Sequence, residues 1–323
     1  HNHSRRLAVH PRILLAMHNP IEPPLLTADI PGVGGAIKRQ PGDFEVEEVP
    51  AYEPSGVGEH LFLWIEKTGM GAEYFARQIA GRLDLSVGDV GIAGLKDRHA
   101  VTRQYVSVPA TTEGRLSLLD GDGIRVLRSS RHVNKLRAGH LRGNRFRLLV
   151  RDADRSRGDD LNAIVERIRS HGLVNYYGEQ RFGVGGDTSN IGMLMLRQEP
   201  LPRRPSAFLR KLALSAVQSW LFNAYLARRF TEGLLRTVIP GEVMAKWPVG
   251  GMFNVEDIEA EQPRLESREI VPAGPMFGRK MFAACGEAAE REAAVLRDAN
   301  LTIEQFGGFG KLLQGTRRHA LIY

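Results

Sequence analysis

Cysteine is almost absent from this sequence: Cys285 stands alone among 323 residues, so no internal disulfide and no Cys-x-x-Cys metal or redox pair can form. Long apolar runs are missing too. Nothing approaches the roughly 20 residues a membrane span needs, and Ile13 to Ala16 is too short for a signal-peptide core. No membrane partner is expected, and the expected location is the cytoplasm. Histidines 60, 99, 132, 140, 171 and 319 show no H-x-x-x-H spacing and no acidic companions, so no metal site is expected. No serine sits in a G-x-S-x-G elbow, which removes the usual support for Ser/His/Asp chemistry. No strand runs into G-x-G-x-x-G and a helix, so no nucleotide cofactor is expected either.

What is present is an ordinary globular composition, 42% hydrophobic and 25% charged, which argues against disorder. The length exceeds what one compact core comfortably holds, so two domains, or one core with a large insertion, are expected. Lys and Arg outnumber Asp and Glu by 44 to 37, a net charge of +7, which favours a polyanionic partner. The chain begins with His1 and its first methionine is Met17. Residues 1–16, rich in His and Arg, are set aside as a loose or added arm.

Phe44 and Val46 alternate with charged neighbours while Leu61 to Ile65 is continuously apolar, which predicts two strands of different burial. Ala72, Phe75, Ala76, Ile79 and Leu83 fall at helical spacing and predict an amphipathic helix on that sheet. Gly91 to Leu95, Tyr105 to Val108, Ile124 to Leu127 and Phe146 to Val150 predict further strands. Leu161, Ile164, Val165 and Ile168 mark a helix that stops at Gly172. Beyond residue 173 the texture changes. A glycine-rich stretch precedes a long apolar helix from about Ala207 to Phe230, and Pro240 to Gly278 reads as irregular. Phe282 to Arg297 is helical by propensity, and Thr302 with Gln305 forms a capping-box pattern.

Three segments carry chemistry. In Gly94-Leu95-Lys96-Asp97-Arg98-His99-Ala100-Val101-Thr102-Arg103-Gln104, polar residues crowd onto one connection after an apolar strand. The cations flanking Asp97 favour its ionised carboxylate, a usable nucleophile or base. A turn aspartate bonded to its own backbone is the alternative. Arg125 to Arg151 holds nine Arg or Lys and no Asp or Glu. It could follow a phosphate backbone, and strand alternation puts Arg145, Arg147 and Arg151 opposite Phe146, Leu148 and Val150. Arg142, Arg145 and Arg147 are the candidate contacts to a nucleic-acid backbone, against the alternative of a solvated face balanced by acids elsewhere. In Asn175 to Gly186, aromatics, an Arg and four glycines combine, and a tight corner with buried tyrosines is the plainer reading.

These segments resemble the TruD family of pseudouridine synthases. Gly94 to Gln104 is similar to its catalytic motif G-x-K-D-[RK]-x-A-x-T-x-Q, and Asn175 to Gly186 to N-Y-F-G-x-Q-R-F-G-[IV]-G-G, with Tyr177 in place of Phe. Gly34 to Lys38 with Pro41 to Glu48 resembles K-x-x-P-E-D-F-x-V-x-E, with Gly42 where Glu is usual. Asn134 to Arg137 and Gly143 to Phe146 resemble N/R-K-L-R and G-N-x-F, and Arg317-Arg318 with Tyr323 resembles R-R-x-x-x-x-Y. The resemblance runs from about Leu25 to the end of the chain.

The resemblance implies an α+β fold: a pseudouridine-synthase catalytic core with a mixed, largely antiparallel sheet, plus an inserted α/β TRUD domain. Residues 1–172 would be the N-terminal arm and catalytic domain, and 173–322 the insertion. A return strand of the catalytic sheet, carrying L-P-x-G-[SF]-[FY]-A-T in the family, is absent from this sequence. The implied activity is isomerisation of uridine 13 of tRNA to pseudouridine without a cofactor, by a protein expected to be a monomer. Asp97 is the implied nucleophile. Phe44 and Asn144 match positions that contact the target nucleotide, Lys38 a basic residue near the nucleophile, and Phe146, Lys96 and Glu48 further members of the site. An RNA-binding protein or chaperone on the same scaffold is the alternative.

Overall fold

The alternation of Phe44, Val46 and Glu48 with Glu45 and Glu47 sets the first strand, β1 (Phe44–Pro50), with one face buried and the other half-exposed. The structure, a computed structural model, describes residues 22–201 and 203–323, so the arm at 1–16 lies outside the described residues. It divides into two compact units, one spanning Gly32–Asp159, the other Asp160–Tyr323 together with the described residues before Gly32.

In the first unit, β1 is joined by β2 (His60–Thr68), β3 (Gly91–Ile92), β4 (Val101–Pro109), β5 (Ile124–His132) and β6 (Leu141–Leu148). Their order is β5-β2-β4-β1-β6, with β3 also paired to β4. Only β1 and β4 run parallel; the other pairs are antiparallel. This is the mixed, largely antiparallel sheet expected. The continuous apolar run in β2 follows from cover on both faces. On one side Leu61, Leu63 and Ile65 pack against Phe75, Ile79 and Leu83 of the helix α1 (Ala72–Arg82) and its C-cap. On the other, Phe62 and Trp64 meet Tyr105, Ala93 and Leu136. Phe75 and Ile79 are fully buried, each worth about 1.5–3 kcal/mol over exposure. Phe75→Ala is the single change expected to loosen α1 most, at roughly 3–5 kcal/mol.

Four strands differ in their bounds from those expected: Tyr105 to Val108 lies within the longer Val101–Pro109, and Ile124 to Leu127 within Ile124–His132. The one predicted to run to Leu95 stops at Ile92. On the edge of β4 away from β2, β3 pairs with Val106 and Ser107, while β1 takes Val101 to Arg103. Only Gln104 and Tyr105 of that edge lie between the two, and the Tyr105 amide bonds the Glu48 carboxylate, so residues 93–100 leave the sheet as a loop. The strand predicted at Phe146 to Val150 is Leu141–Leu148, because its register is set by pairing with β1.

The second unit holds α2 (Gly158–His171), β7 (Leu173–Val174), α3 (Asp187–Leu196) and α4 (Ala207–Thr231). α4 carries the core, with Leu214, Val217, Leu221, Phe222 and Leu226 fully buried. Gly192 of α3 admits this packing: a Cβ there would lie 2.2 Å from the Ala213 carbonyl oxygen of α4. The region expected to be irregular, Pro240 to Gly278, is instead β8 (Val243–Lys246), β9 (Met252–Asn254), α5 (Ile258–Glu266) and β10 (Ile270–Met276). Its prolines and the absence of alternation hid this. β10 is buried at every position, so it shows no period of two, and the Pro272 carbonyl accepts from Ala320 where its nitrogen cannot donate. After α6 (Gly286–Asp298), β11 (Thr316–His319) completes the sheet β11-β10-β8-β9, and β12 (Leu321–Ile322) pairs with β7. The Thr302 amide donates to Gln305 as its capping-box pattern predicts.

Candidate active site

All ten candidate residues lie in the Gly32–Asp159 unit. Register sorts them. Phe44, Val46 and Glu48 of β1 pair with Leu148, Phe146 and Asn144 of β6, and paired residues of a sheet share a face. Pairings across β4 extend this face through Thr102 and Gln104 to Lys67 and Ile65 of β2. Glu45, Glu47, Arg145, Arg147, Arg103 and Glu66 occupy the opposite face.

Glu48 is the anomaly on the first face, a carboxylate only 2% exposed. It persists because the Lys96 ammonium donates to it at 2.6 Å and the Tyr105 amide at 3.3 Å. Lys96 is therefore drawn inward from the 93–100 loop, and its neighbour Asp97 is left exposed. A second buried lysine holds the other side of this neighbour. Lys67 Nζ donates to the Met70 carbonyl at 2.6 Å and the Asp97 carbonyl at 3.2 Å. Burial pushes the Lys67 ammonium down to about 8, against the attraction of Asp97, with Lys96 lowering it further. Ala100 packs on Phe44 and Val46, and its carbonyl accepts from Gly69. The Asp97 carboxylate thus projects from a loop tied down at Lys96, at its own carbonyl and at Ala100.

Beside the loop, Phe44 and Phe146 stack with ring centroids 5.9 Å apart and planes 3° apart; Phe146 is 59% exposed. Lys38 adopts a left-handed φ of 55°, uncommon for a residue with a Cβ, and its ammonium lies 4.0 Å from the Phe44 centroid. Among the described residues Lys38 and Asp97 form no ion pair. Asn144 is exposed, paired across the strands with Glu48. A cavity of about 490 Å³ also adjoins the loop, lined by Met70, Tyr74, Arg77 and Arg98.

Arg145 and Arg147 are not brought to this face. They bond Glu47 at 2.9 Å and Glu45 at 3.3 Å on the far side of the sheet, the alternation expected of β6. Arg142 is exposed, and among the described residues it has no ion pair. The third motif forms a frame within the second unit. Asn223 of α4 bonds both the amide and the carbonyl of Tyr177 at 2.8 Å, and Arg318 lies 4.1 Å from the Tyr177 ring.

Three contributors were not singled out as site residues in the sequence, two of them, Asp43 and Gln104, inside the quoted motifs. Lys67 had a signal, because it stands in the inward phase of Leu61, Leu63 and Ile65, where a lysine is out of place. Asp43 is buried and receives a bidentate Arg151 at 2.7–3.0 Å; that guanidinium holds its carboxyl below the usual range. The pair clamps the start of β1, and so Phe44, to the end of the basic segment. Gln104 is buried beside Glu48, and neither end of its amide has a partner among the described residues. No group of three or more His, Cys, Asp or Glu among the described residues could hold a metal, and no helix among them is long and apolar enough to cross a membrane.

A mixed sheet that carries an exposed aspartate on a loop anchored by buried cations has the α+β fold of a pseudouridine synthase. The same architecture occurs in the crystal structure of a tRNA pseudouridine synthase D (TruD) from Methanosarcina mazei, with a TM-score of 0.75 at 22% identity, over 93% of this chain and 86% of that one. The tRNA pseudouridine synthase D of Anaeromyxobacter dehalogenans is 44% identical over 301 residues, covering 92% of this chain and 86% of that protein. That of Thermus thermophilus is 41% identical over 298 residues, covering 91% and 81%. The family described as tRNA pseudouridine synthase D (TruD) matches residues 21–201 and 204–323. The chain belongs to this family.

Proposed function

We propose that this protein isomerises uridine in tRNA to pseudouridine, at position 13, with Asp97 as the nucleophile. The observation that carries this reading is Asp97, exposed on a loop that Lys67, Glu48 through Lys96, and Phe44 through Ala100 tie to the sheet face of the Phe44–Phe146 stack and Asn144. The target base must leave its stack to reach such a group. Phe146 is exposed enough to stack on it, and the Asn144 amide suits its hydrogen-bonding edge.

The carboxylate then attacks the nucleoside, at C1′ or at C6 of the base, with Asp97 Oδ supplying the electron pair. The bond from N1 to C1′ breaks, the uracil turns, C5 bonds to C1′, and the bond from Asp97 Oδ to the nucleoside breaks with its electron pair returning to the carboxylate. Loss of the C5 proton restores the ring and N1 takes up a proton. Substrate and product are isomers, so no oxidant, reductant or phosphoryl donor enters the balance.

Tritium release from tRNA labelled at C5 of uridine tests the reading directly. Asp97→Asn keeps the shape without a comparable nucleophile, so it should abolish release while RNA binding stays within a few-fold of the parent. Release near the parental rate in a single-turnover assay would show that Asp97 is not the nucleophile. Binding without any release by the parent would leave an RNA-binding protein.

A further inference from the structure

We propose that Lys67 is a positioning residue for this reaction, holding the main chain at Asp97 through hydrogen bonds to the Asp97 and Met70 carbonyl oxygens. The role rests on Asp97 acting as nucleophile, as proposed above.

Lys67 is the last inward-facing residue of β2, one before its end at Thr68, and is fully buried. Taking an ammonium out of water is costly unless a counter-charge and full hydrogen bonding accompany it. Neither condition is fully met. Among the described residues no carboxylate lies at ion-pair distance, and the three N–H donors find two carbonyls. Its partners on the flanking strands, Thr102 and Ile124, are uncharged, and from α1 it meets the Phe75 ring at 5.7 Å. The charged groups that act on it are Asp97, which favours its ammonium, and Lys96, which disfavours it.

A methionine there would fill similar volume without the cost, so the stability of the unit gives no reason for a lysine. What the lysine adds to the hydrogen bond from Gly69 to the Ala100 carbonyl is a second tie between two segments, placed at Asp97 itself. One is the Gly69–Gly71 turn before α1, the other the loop that presents Asp97. Met70 also lines the cavity of about 490 Å³ to which Arg98, the residue after Asp97, contributes. With its carbonyl tethered, the Asp97 main chain is fixed relative to β2, on the sheet face that carries Phe44 and Phe146. Lys96 acts on the neighbouring residue from the Glu48 side, so the reacting residue is bracketed by two buried ammonium groups with different anchors.

The two possible roles of Lys67 differ in the sign of their effect on stability. A structural lysine, once removed, lowers stability. A positioning lysine, once replaced by an apolar residue of similar size, leaves stability unchanged or raises it while the reaction slows.

The experiment is Lys67→Met in the full chain, with thermal unfolding, affinity for the tRNA and the single-turnover rate of tritium release measured on the same preparation. The expected result is an unfolding temperature at or above that of the parent, affinity within about threefold, and a rate lower by roughly 10²-fold, as for a displacement of about 1 Å at a reacting group. A rate within about twofold of the parent would overturn the proposal. So would a marked loss of stability or a failure to fold, since either assigns Lys67 to the scaffold. Asp97→Asn assayed alongside separates the two readings: if it keeps turnover the nucleophile assignment fails, whereas if it is inactive and Lys67→Met is fast only the role of Lys67 fails.

Discussion

Breaking the Glu48–Lys96 pair should unfold the six-stranded sheet more readily than any surface change in the same unit. The two side chains are 0% and 2% exposed and meet at 2.6 Å. In Lys96→Met, Glu48 keeps one hydrogen bond, from the Tyr105 amide at 3.3 Å, and loses its counter-charge in a site that water does not reach. Breaking a buried pair by removing one partner costs roughly 3–5 kcal/mol, whereas replacing both partners with groups of similar shape is often neutral. Glu48→Gln with Lys96→Met keeps an acceptor for the Tyr105 amide and leaves no charge behind, so it should recover most of the loss. Urea unfolding followed by Trp64 fluorescence, with Trp220 and Trp247 replaced by Phe, reports on this unit alone, because Trp64 is its one tryptophan. With a denaturant slope of about 1–3 kcal/mol/M, the single variant should unfold at least about 1 M earlier than the parent. A shift worth less than about 1 kcal/mol, or a double variant as unstable as the sum of the two singles, would refute the reasoning.

Three further outcomes are expected. Replacing Arg142, Arg145 and Arg147 with Gln should weaken tRNA binding and lower the log-log salt slope by roughly 0.7–0.9 for each phosphate that the protein no longer neutralises; unchanged affinity and slope would leave Arg145 and Arg147 to their carboxylates on β1. Phe146→Ala should cost about 1–3 kcal/mol of binding to the target-site RNA because a stacking surface is removed, with urea stability nearly unchanged because the ring is largely exposed; equal loss of stability would make it a core residue. Lys67 gives a pH effect: its folded value of about 8 lies below the ordinary lysine value of 10.5, so the unfolded chain binds more protons between those limits. The parent should therefore gain stability relative to Lys67→Met as pH rises from 8 to 9.5, by up to about 1.4 kcal/mol per pH unit; a flat difference would refute the low value.

The motifs were legible because their residues are contiguous and their patterns local. The alternation of Phe44, Val46 and Glu48 gave β1 a buried face, and the helical spacing from Ala72 to Leu83 gave α1 its packing surface. The Lys96-Asp97 stretch stood out by polarity alone. The family followed from the resemblance of the contiguous motifs, and the α+β class from what that resemblance implies. Patterning failed where burial is uniform, as in β10, whose prolines and lack of alternation read as irregular chain. It also failed to separate the nine basic residues of Arg125 to Arg151, because charge density does not say which carboxylates a strand will meet.

By itself, then, the sequence determined which side chains are available and how each short segment alternates. The tertiary structure decided which of them meet. Lys67 reaches Asp97 across 30 residues, Lys96 reaches Glu48 across 48, and Arg151 reaches Asp43 across 108. The first depends on β2 pairing with β4, and the other two on β1 inserting between β4 and β6 in one register. A slip of one residue would turn Phe44, Val46 and Glu48 to the opposite face. Register is settled by the burial of the whole sheet, so no local pattern contains it.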